Sequence, residues 1–467
     1  MAEYRTASLV DAFERALNDI QARVFVSGTP IIAVAYSGGL DSSALLQLAQ
    51  RYAHKYGIKL FAFHVHHGLS ANADAWLAHC ARESSAADIA FDSRRVSVVA
   101  GDSIEQEARF QRYAALGQMC AAHGVKLLLT AHHQDDQAET VLLQLLRGSG
   151  VAGLCGMEVL SRAPDLLQTE EVWIGRPMLD VSRMELETFV ASLGIAYVND
   201  ESNADVRYTR NALRHGVMPS LSQHFPGYAE RLGRSARHAQ AAQRLLDQLA
   251  AQDMASCLDG DRLSLDALNV LQDSDRIDNV FRYWFASKGV RMPSTAWLAE
   301  MRRQLSSIHD DAQIRVTHGD CVIRRYRGRV YMTPRLDEKA FENNPAIAFR
   351  WNGDASIEFP VFRGRLHFER VAPGTGLDPG WLRVQELCLH ARRGGERLKT
   401  AHGRPARSLK QHYQALHIPA WERPFLPLVS TACRQLVFAA DIGLNLDGIP
   451  DGDIGLRWEK TILPATR

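Results

Sequence analysis

The string Ser37-Gly38-Gly39-Leu40-Asp41-Ser42 follows a buried, β-branched run (IIAVAY) and opens an amphipathic one. That order of residue types suits an anion. Adjacent glycines let the backbone turn sharply and approach a phosphate, and the helix start beyond them offers unpaired N–H groups and a positive dipole end. Hydroxyls at Ser37, Ser42 and Ser43 add donors. Asp41 would repel phosphate unless a divalent cation sat between them, so its presence implies Mg2+. A bare SGG is common in strand-to-helix turns; the six-residue string in this setting is the specific signal. No GxxxxGK[ST] string occurs, which argues against a P-loop nucleotide site.

Three further segments carry chemistry. FHVHHGLS puts His66 and His67 at the end of a strand, where the crevice of an open α/β sheet lies. In DSIEQEARFQRYAAL, Glu105, Arg109 and Arg112 share one helical face, which leaves Phe110, Ala114 and Leu116 to face the sheet. In TAHHQDDQAETVLLQLLRGSGVAGLCGM, His132 and His133 end a strand, and Asp136 and Glu139 share a face of the next helix. Val141, Leu142, Leu145 and Leu146 are expected to pack elsewhere. Two carboxylates on one face can hold Mg2+, act as bases or bind an ammonium group. Zinc is the rival, but adjacent histidines point in different directions and no cysteine set completes a site. The seven cysteines form no CxxC pair, which marks them as buried or incidental thiols.

Over the first 200 residues, short β-branched runs alternate with helical patterns, which predicts a parallel sheet covered by helices. Strands are expected over 31–36, 60–66, 95–99, 125–130 and 173–175, and helices over 42–56, 71–87, 104–123, 135–147 and 183–193. Ser103 with Gln106, and Ser182 with Glu185, read as helix caps. The fold class is therefore α/β, a doubly wound domain over 1–215. A mainly helical middle domain is expected over 216–342. A linker near 343–346 then leads to a small α+β domain over 343–467, with one amphipathic helix over 408–416.

At 467 residues, 46% apolar and 23% charged, the chain resembles an ordinary globular protein of two to four domains. No uncharged apolar run reaches the roughly 18 residues of a membrane span. The N-terminal segment lacks a basic start and a compact apolar block, so a cytoplasmic location is expected. A net charge of +1 gives no global attraction to a polyanion.

The strings SGGLDS, HHGLS, EARFQRY, AHHQDDQAET and LLRGSGVAGLCGM together resemble the N-type ATP-pyrophosphatases, which carry a PP-loop, and within them the lysidine synthase family. NDESNADVRYTRNALRHGVMPSL, with Asp200, Ser202, Asn203, Asp205, Tyr208, Arg210, Asn211 and Arg214, is similar to the segment that closes that family's catalytic domain. The resemblance is dense over 31–220, fades in the middle, and returns at RRGGERLKTAHGRPARSLKQHYQALHIPAWERPFLPLV. It implies ATP, Mg2+ and a two-step conversion of the wobble cytidine of CAU-anticodon tRNA(Ile) to lysidine. The cytosine O2 attacks the α phosphate and releases pyrophosphate; free L-lysine then displaces AMP at C2.

The same resemblance implies roles for individual residues. Ser37, Gly38, Gly39, Leu40, Asp41 and Ser42 would hold the phosphates, and Asp41 and Asp136 the metal. Arg112 and His132 would stabilise charge at the α phosphate, Asp136 and Glu139 the lysine ammonium, and Arg210 and Arg214 would contact tRNA. No membrane and no protein partner is implied, and a homodimer is left open. A tRNA thiolase would need paired thiols, which this sequence lacks. Asparagine, GMP and NAD synthetases share the loop. A catalytically silent RNA-binding protein would have no need for Asp41, Asp136 and Glu139 together.

Seven Lys or Arg lie within 392–410 (Arg392, Arg393, Arg397, Lys399, Arg404, Arg407, Lys410) against one acid, Glu396, with His402 and glycines between them. Such a loop suits phosphate-backbone contact; Arg392, Arg393, Arg397, Lys399 and Lys410 are the tRNA-contact candidates, with Tyr413 and Trp421 as stacking or core residues. Arg324, Arg325, Tyr326, Arg327 and Arg329 form a second cluster.

Overall fold

A computed structural model describes residues 2–26, 28–68, 70–97, 104–200, 209–306, 314–335, 341, 343–401, 403 and 405–461. The chain divides into two compact units, Met1–Asp247 and Gln248–Arg467. Among the described residues no helix is long and apolar enough to cross a membrane.

The first unit begins with α1 (Ala2–Val24), whose Leu9, Phe13, Leu17 and Ile20 form one buried stripe. Then follow β1 (Ile31–Ala35), α2 (Leu40–Tyr56), β2 (Lys59–His66), α3 (Ala73–Ala86), β3 (Ala90–Arg95), α4 (Ile104–His123) and β4 (Leu127–Leu129). The rest of the sheet is framed by α5 (Gln134–Leu146), α6 (Val151–Leu154), β5 (Leu160–Arg162), α7 (Pro164–Leu167), β6 (Trp173–Gly175) and α8 (Arg183–Leu193). The sheet order is β3-β2-β1-β4-β6-β5, parallel except for β5.

Period-2 alternation decides which side chain faces which helical layer. Ile32, Val34, Leu60, Ala62, Leu127 and Leu129 share a core with α1, α2 and α8. Ala33, Phe61, Phe63, Leu128 and Ile174 pack instead with Tyr113, Leu116 and Met119 of α4 and Leu167 of α7. Gly117 permits that second packing, since a Cβ there would lie 1.9 Å from the Leu167 carbonyl oxygen. The chain runs from β1 outward to β2 and β3, then returns to β4 on the other side. The order therefore reverses between β1 and β4, and a crevice opens at their carboxyl ends.

Three expectations need correction. The third strand is Ala90–Arg95, not 95–99; it is an edge strand, so it tolerates the polar AFDSRR that alternation disfavoured, and residues 98–99 lie outside the described ones, as does the Ser103 cap. Phe110 is exposed rather than sheet-facing, because Tyr113 and Leu116 fill that interface. Leu145 and Leu146 are exposed at the end of α5. The middle segment is helical as expected, and its helices at Leu265–Val270, Ser274–Ser287 and Thr295–Leu305 pack with a five-stranded antiparallel sheet.

Beyond α8, α9 (Thr209–Ala212) leads into a π-helical turn, Leu213–Val217, then α10 (Met218–His224) and α11 (Tyr228–Cys257), which crosses the division between the units. The second unit ends in two five-stranded sheets around a single core that includes Trp351, Phe362, Leu389, Tyr413, Phe438 and Trp458.

Candidate active site

The loop after β1 is built by glycine and closed by hydroxyls. Gly38 has φ +86°, and a Cβ there would lie 2.9 Å from Cys80 Sγ and 3.2 Å from Val198 Cγ2. Only glycine meets both constraints. The Ser42 hydroxyl donates to the Gly39 carbonyl at 3.0 Å and lies 3.0 Å from Ser37 Oγ, and Ser43 donates to the Gly38 carbonyl at 3.3 Å. Ser42 and Ser43 are buried, so these hydroxyls brace the loop, and backbone N–H groups at the start of α2 remain the main anion donors. Leu40 is the first residue of that helix.

At the end of β4 the two adjacent histidines enter opposite environments. His133 is 1% exposed in its side chain. Its Nε2 lies 3.7 Å from Asp41 Oδ2 and 3.4 Å from Asp136 Oδ2, and its Nδ1 3.7 Å from Asp135 Oδ2. These are ion-pair distances, longer than hydrogen bonds. Burial pushes the His133 pKa down, but the three carboxylates outweigh it and raise it above the ordinary value. Asp41 behaves reciprocally: burial pushes its carboxyl up, and His133, Arg183 and Arg214 together hold it below the ordinary range. Asp41 Oδ1 is buried with no hydrogen-bond partner among the described residues, an acceptor that a hard cation would satisfy. Asp41 and Asp136, both against His133, are thus a donor set that fits Mg2+, which keeps waters and substrate phosphates among its ligands. No cluster of three such side chains is preformed among the described residues.

His132 accepts or donates at 2.9 Å to Thr130 Oγ1 and sits among guanidinium groups. Crowding by protein pushes its pKa well down, and Arg176, Arg109, Arg210 and Arg112 push further in the same direction, which favours the neutral imidazole. Arg109 and Arg112 lie over the Tyr113 ring at 4.8 and 5.5 Å. Arg112 keeps access to solvent at the mouth of the crevice. Among the described residues, no carboxylate is ion-paired to any of these arginines. Like charges gathered without counter-ions in a cleft form a receptor for an anion.

Glu139 is buried on α5 and closed by Arg214: Nε lies 2.6 Å from Oε1 and Nη2 3.1 Å from Oε2, with Nη2 also 3.1 Å from Asp136 Oδ1. Arg214 sits on the π-helical turn, a distortion frequent at functional sites. Arg210 donates to Thr140 Oγ1 at 2.8 Å on the same helix. Both arginines, expected on a tRNA-contacting surface, stand beside the α5 carboxylates and the arginine cluster. Asp200 is described, whereas Ser202, Asn203, Asp205 and Tyr208 lie outside the described residues. His66 is drawn off by Asp74 at 3.2 Å and Arg95 at 3.3 Å.

Sequence reasoning missed Arg183, Asp135 and Arg176. Asp135 accepts from the Arg183 N–H at 2.9 Å, and Arg183 Nη1 reaches within 3.8 Å of Asp41. Arg176 directly follows β6; an arginine next to an apolar strand at the carboxyl edge of a parallel sheet was the available signal.

In the second unit, Arg397–Leu398 and Arg407–Ser408 pair as a two-stranded ribbon ahead of the helix Leu409–Ala415. Arg393, Arg397, Arg407 and Lys410 are exposed; Arg392 and Lys399 are half-buried, over Tyr413 at 5.4 Å and 3.5 Å from Asp447. His402 and Arg404 lie outside the described residues. Tyr413 and Trp421 are core, not stacking platforms. The second basic cluster is spent on internal contacts: Arg324 lies over Trp421 at 5.1 Å, Arg325 donates to the Leu305 carbonyl at 2.9 Å, and Arg329 pairs with Asp259.

Three family models match: a PP-loop domain over residues 9–221, a TilS substrate binding domain over 263–331, and a TilS substrate C-terminal domain over 387–458. The chain is 42% identical to the tRNA(Ile)-lysidine synthase of Burkholderia pseudomallei over 472 residues, covering 94% of each protein. It is 40% identical to that of Ralstonia nicotianae over 98% of each. To that of Nitrosomonas europaea it is 34% identical over 98% of this chain and 97% of the other. The PP-loop domain and the tRNA(Ile)-lysidine synthase relatives make the chain an ATP-dependent ligase. It belongs to the tRNA(Ile)-lysidine synthase family.

Proposed function

We propose that the chain forms lysidine on tRNA(Ile) by adenylating the wobble cytidine and then passing it to free L-lysine. The observation that carries this reading is the division of the crevice into two fields, one anionic around His133 and one cationic around His132. The loop from Ser37 to Ser42 holds the phosphates of ATP, with Gly38 and Gly39 giving the close backbone approach. Asp41 and Asp136 would hold Mg2+, which supplies charge neutralisation for the departing pyrophosphate. The cytosine O2 attacks the α phosphorus, the bond to the β-phosphate bridging oxygen breaks, and pyrophosphate takes the electron pair. Arg112 and the neutral His132 face the charge that develops on the α-phosphoryl oxygens, in a cleft where such contacts are strong.

In the second step the lysine amine, once unprotonated, attacks C2; the C2–O bond to the adenylyl group breaks, AMP departs with the electron pair, and the amine's proton passes to solvent. Glu139 holds the side-chain ammonium, in place of the Arg214 guanidinium that bonds both of its oxygens. Lysine therefore exchanges one cation for another, and the carboxylates are never left buried without a partner. Arg392, Arg393, Arg397, Lys399 and Lys410 contact the tRNA backbone. The chain works in the cytoplasm, as a catalytic domain over 1–215 followed by 216–342 and 343–467.

Asp41→Ala tests the site. It should abolish tRNA-dependent ATP–pyrophosphate exchange while leaving tRNA affinity within a few fold; normal exchange by that variant would remove Asp41 from the metal and phosphate site.

A further inference from the structure

Arg176 stands out among the charged groups of the first unit because it is only 8% exposed and, among the described residues, has no ion-pair partner. Burying a guanidinium without a carboxylate is costly, so its surroundings must either satisfy it or await an anion. They satisfy it in part. Nη1 donates to the Glu158 carbonyl at 2.8 Å and to Ser161 Oγ at 3.0 Å, which pins the side chain against β5. Nε is buried with no hydrogen-bond partner among the described residues.

The backbone places this group at the crevice. β6 pairs with β4, Leu129 opposite Gly175, and the Thr130 N–H donates to the Gly175 carbonyl at 2.9 Å. Thr130 in turn holds His132 through its hydroxyl. The ends of β1, β4 and β6 thus lie side by side, carrying the phosphate loop, His132 and Arg176 in that order. Two strand spacings, about 10 Å, separate the first from the last. A triphosphate anchored on the loop is within reach of the arginines along this row.

We propose that Arg176 is a phosphate-contact residue, an anchored cation for the phosphoryl group that passes from ATP to the RNA base. This rests on the two-step reading above. The group is a nucleotide phosphate and not the RNA backbone, because a side chain so buried is reached by a small ligand entering the crevice and not by an extended strand lying over it. When cytosine O2 attacks, negative charge accumulates on the equatorial oxygens of the α phosphorus before pyrophosphate leaves. A fixed guanidinium needs no reorganisation to meet that charge. Pinning by β5 also explains why Arg176 stays in place although Arg109 repels it.

The test compares Arg176→Gln and Arg176→Lys in the full chain, with ATP, Mg2+ and a tRNA(Ile) transcript as probes. In tRNA-dependent ATP–pyrophosphate exchange, Arg176→Gln should lower kcat by about 100-fold or more, with a far smaller change in the KM for ATP. Affinity for tRNA without ATP, its salt slope and the melting temperature should match the unchanged chain. Exchange within threefold of the unchanged chain would overturn the proposal. So would weakened tRNA binding with a log–log salt slope reduced by about 0.7 to 0.9, which would mark an RNA backbone contact. If Arg176→Gln does not fold, Arg176→Lys decides: it keeps the charge and loses the fork. A tenfold or greater fall in kcat at unchanged melting temperature supports phosphate contact; unchanged kcat, or a loss of activity that only tracks a lower melting temperature, overturns it. If the unchanged chain showed exchange that did not need tRNA, the two-step reading would fail before either variant was compared.

Discussion

Glu139 and Asp136 are three residues apart on one helix, yet they have unequal surroundings. Asp136 touches both His133 and Arg214, whereas Glu139 pairs, among the described residues, with Arg214 alone, through both of its oxygens. A carboxylate that faces only a replaceable cation suits an ammonium ligand; one shared with His133 and near Asp41 suits the metal. Glu139→Gln keeps the shape and removes the charge. We expect it to release pyrophosphate and accumulate adenylated tRNA, with the KM for lysine raised roughly 10- to 1,000-fold, equivalent to about 1.4 to 4 kcal/mol. Steady-state kinetics in lysine, beside a separate exchange assay, would decide this. Loss of exchange with unchanged lysine affinity would assign Glu139 to holding Arg214 for the ATP step.

The elements explain what could and could not be read from sequence. β1, β2 and α4 were legible because burial on both faces or one amphipathic stripe leaves a strong periodic signal, as in Ile31–Ala35 and Ile104–His123. The Ser182–Glu185 capping box is also present as expected. β3 was misplaced because an edge strand has only one neighbour to satisfy, so its polar sequence carries no alternation. The phosphate loop was legible because its chemistry is contiguous. Arg176 and Arg183 were not, because their roles depend on which strand ends are adjacent, a property of topology and not of spacing. Gly117 is a further case: nothing local marks it, yet it sets the approach of α4 to α7. Gly117→Ala should therefore destabilise the first unit, since overpacking against backbone costs about 1 to 3 kcal/mol or more and exceeds the helix-propensity gain of about 1 kcal/mol. Thermal melting should show a drop of several degrees. An equal or higher melting temperature would mean that α7 yields freely.

For the whole molecule, the near-zero net charge means that RNA affinity comes from placement of charge and not from its sum. The exposed arginines on the ribbon at Arg397–Leu398 and Arg407–Ser408 fit that need better than the cluster around Arg324, whose charges are engaged internally. Changing Arg392, Arg393, Arg397 and Lys399 together to Gln should raise the KM for tRNA and flatten its salt dependence, by about 0.7 to 0.9 in log–log slope for each phosphate that is no longer neutralised. The KM for ATP should barely move. An unchanged slope would make these residues a solvated surface.

The central claim is that an adenylated RNA base lies between ATP and lysidine. The most direct measurement mixes the chain with α-labelled ATP, Mg2+ and tRNA(Ile) in the absence of lysine, isolates the RNA, and then adds lysine without ATP. Label should join the tRNA in the first stage, at the cytidine of the CAU anticodon, and leave as AMP when lysine is added, with lysidine formed in equal amount. Lysidine that forms only when ATP and lysine are present together, with no label on the isolated tRNA, would contradict it.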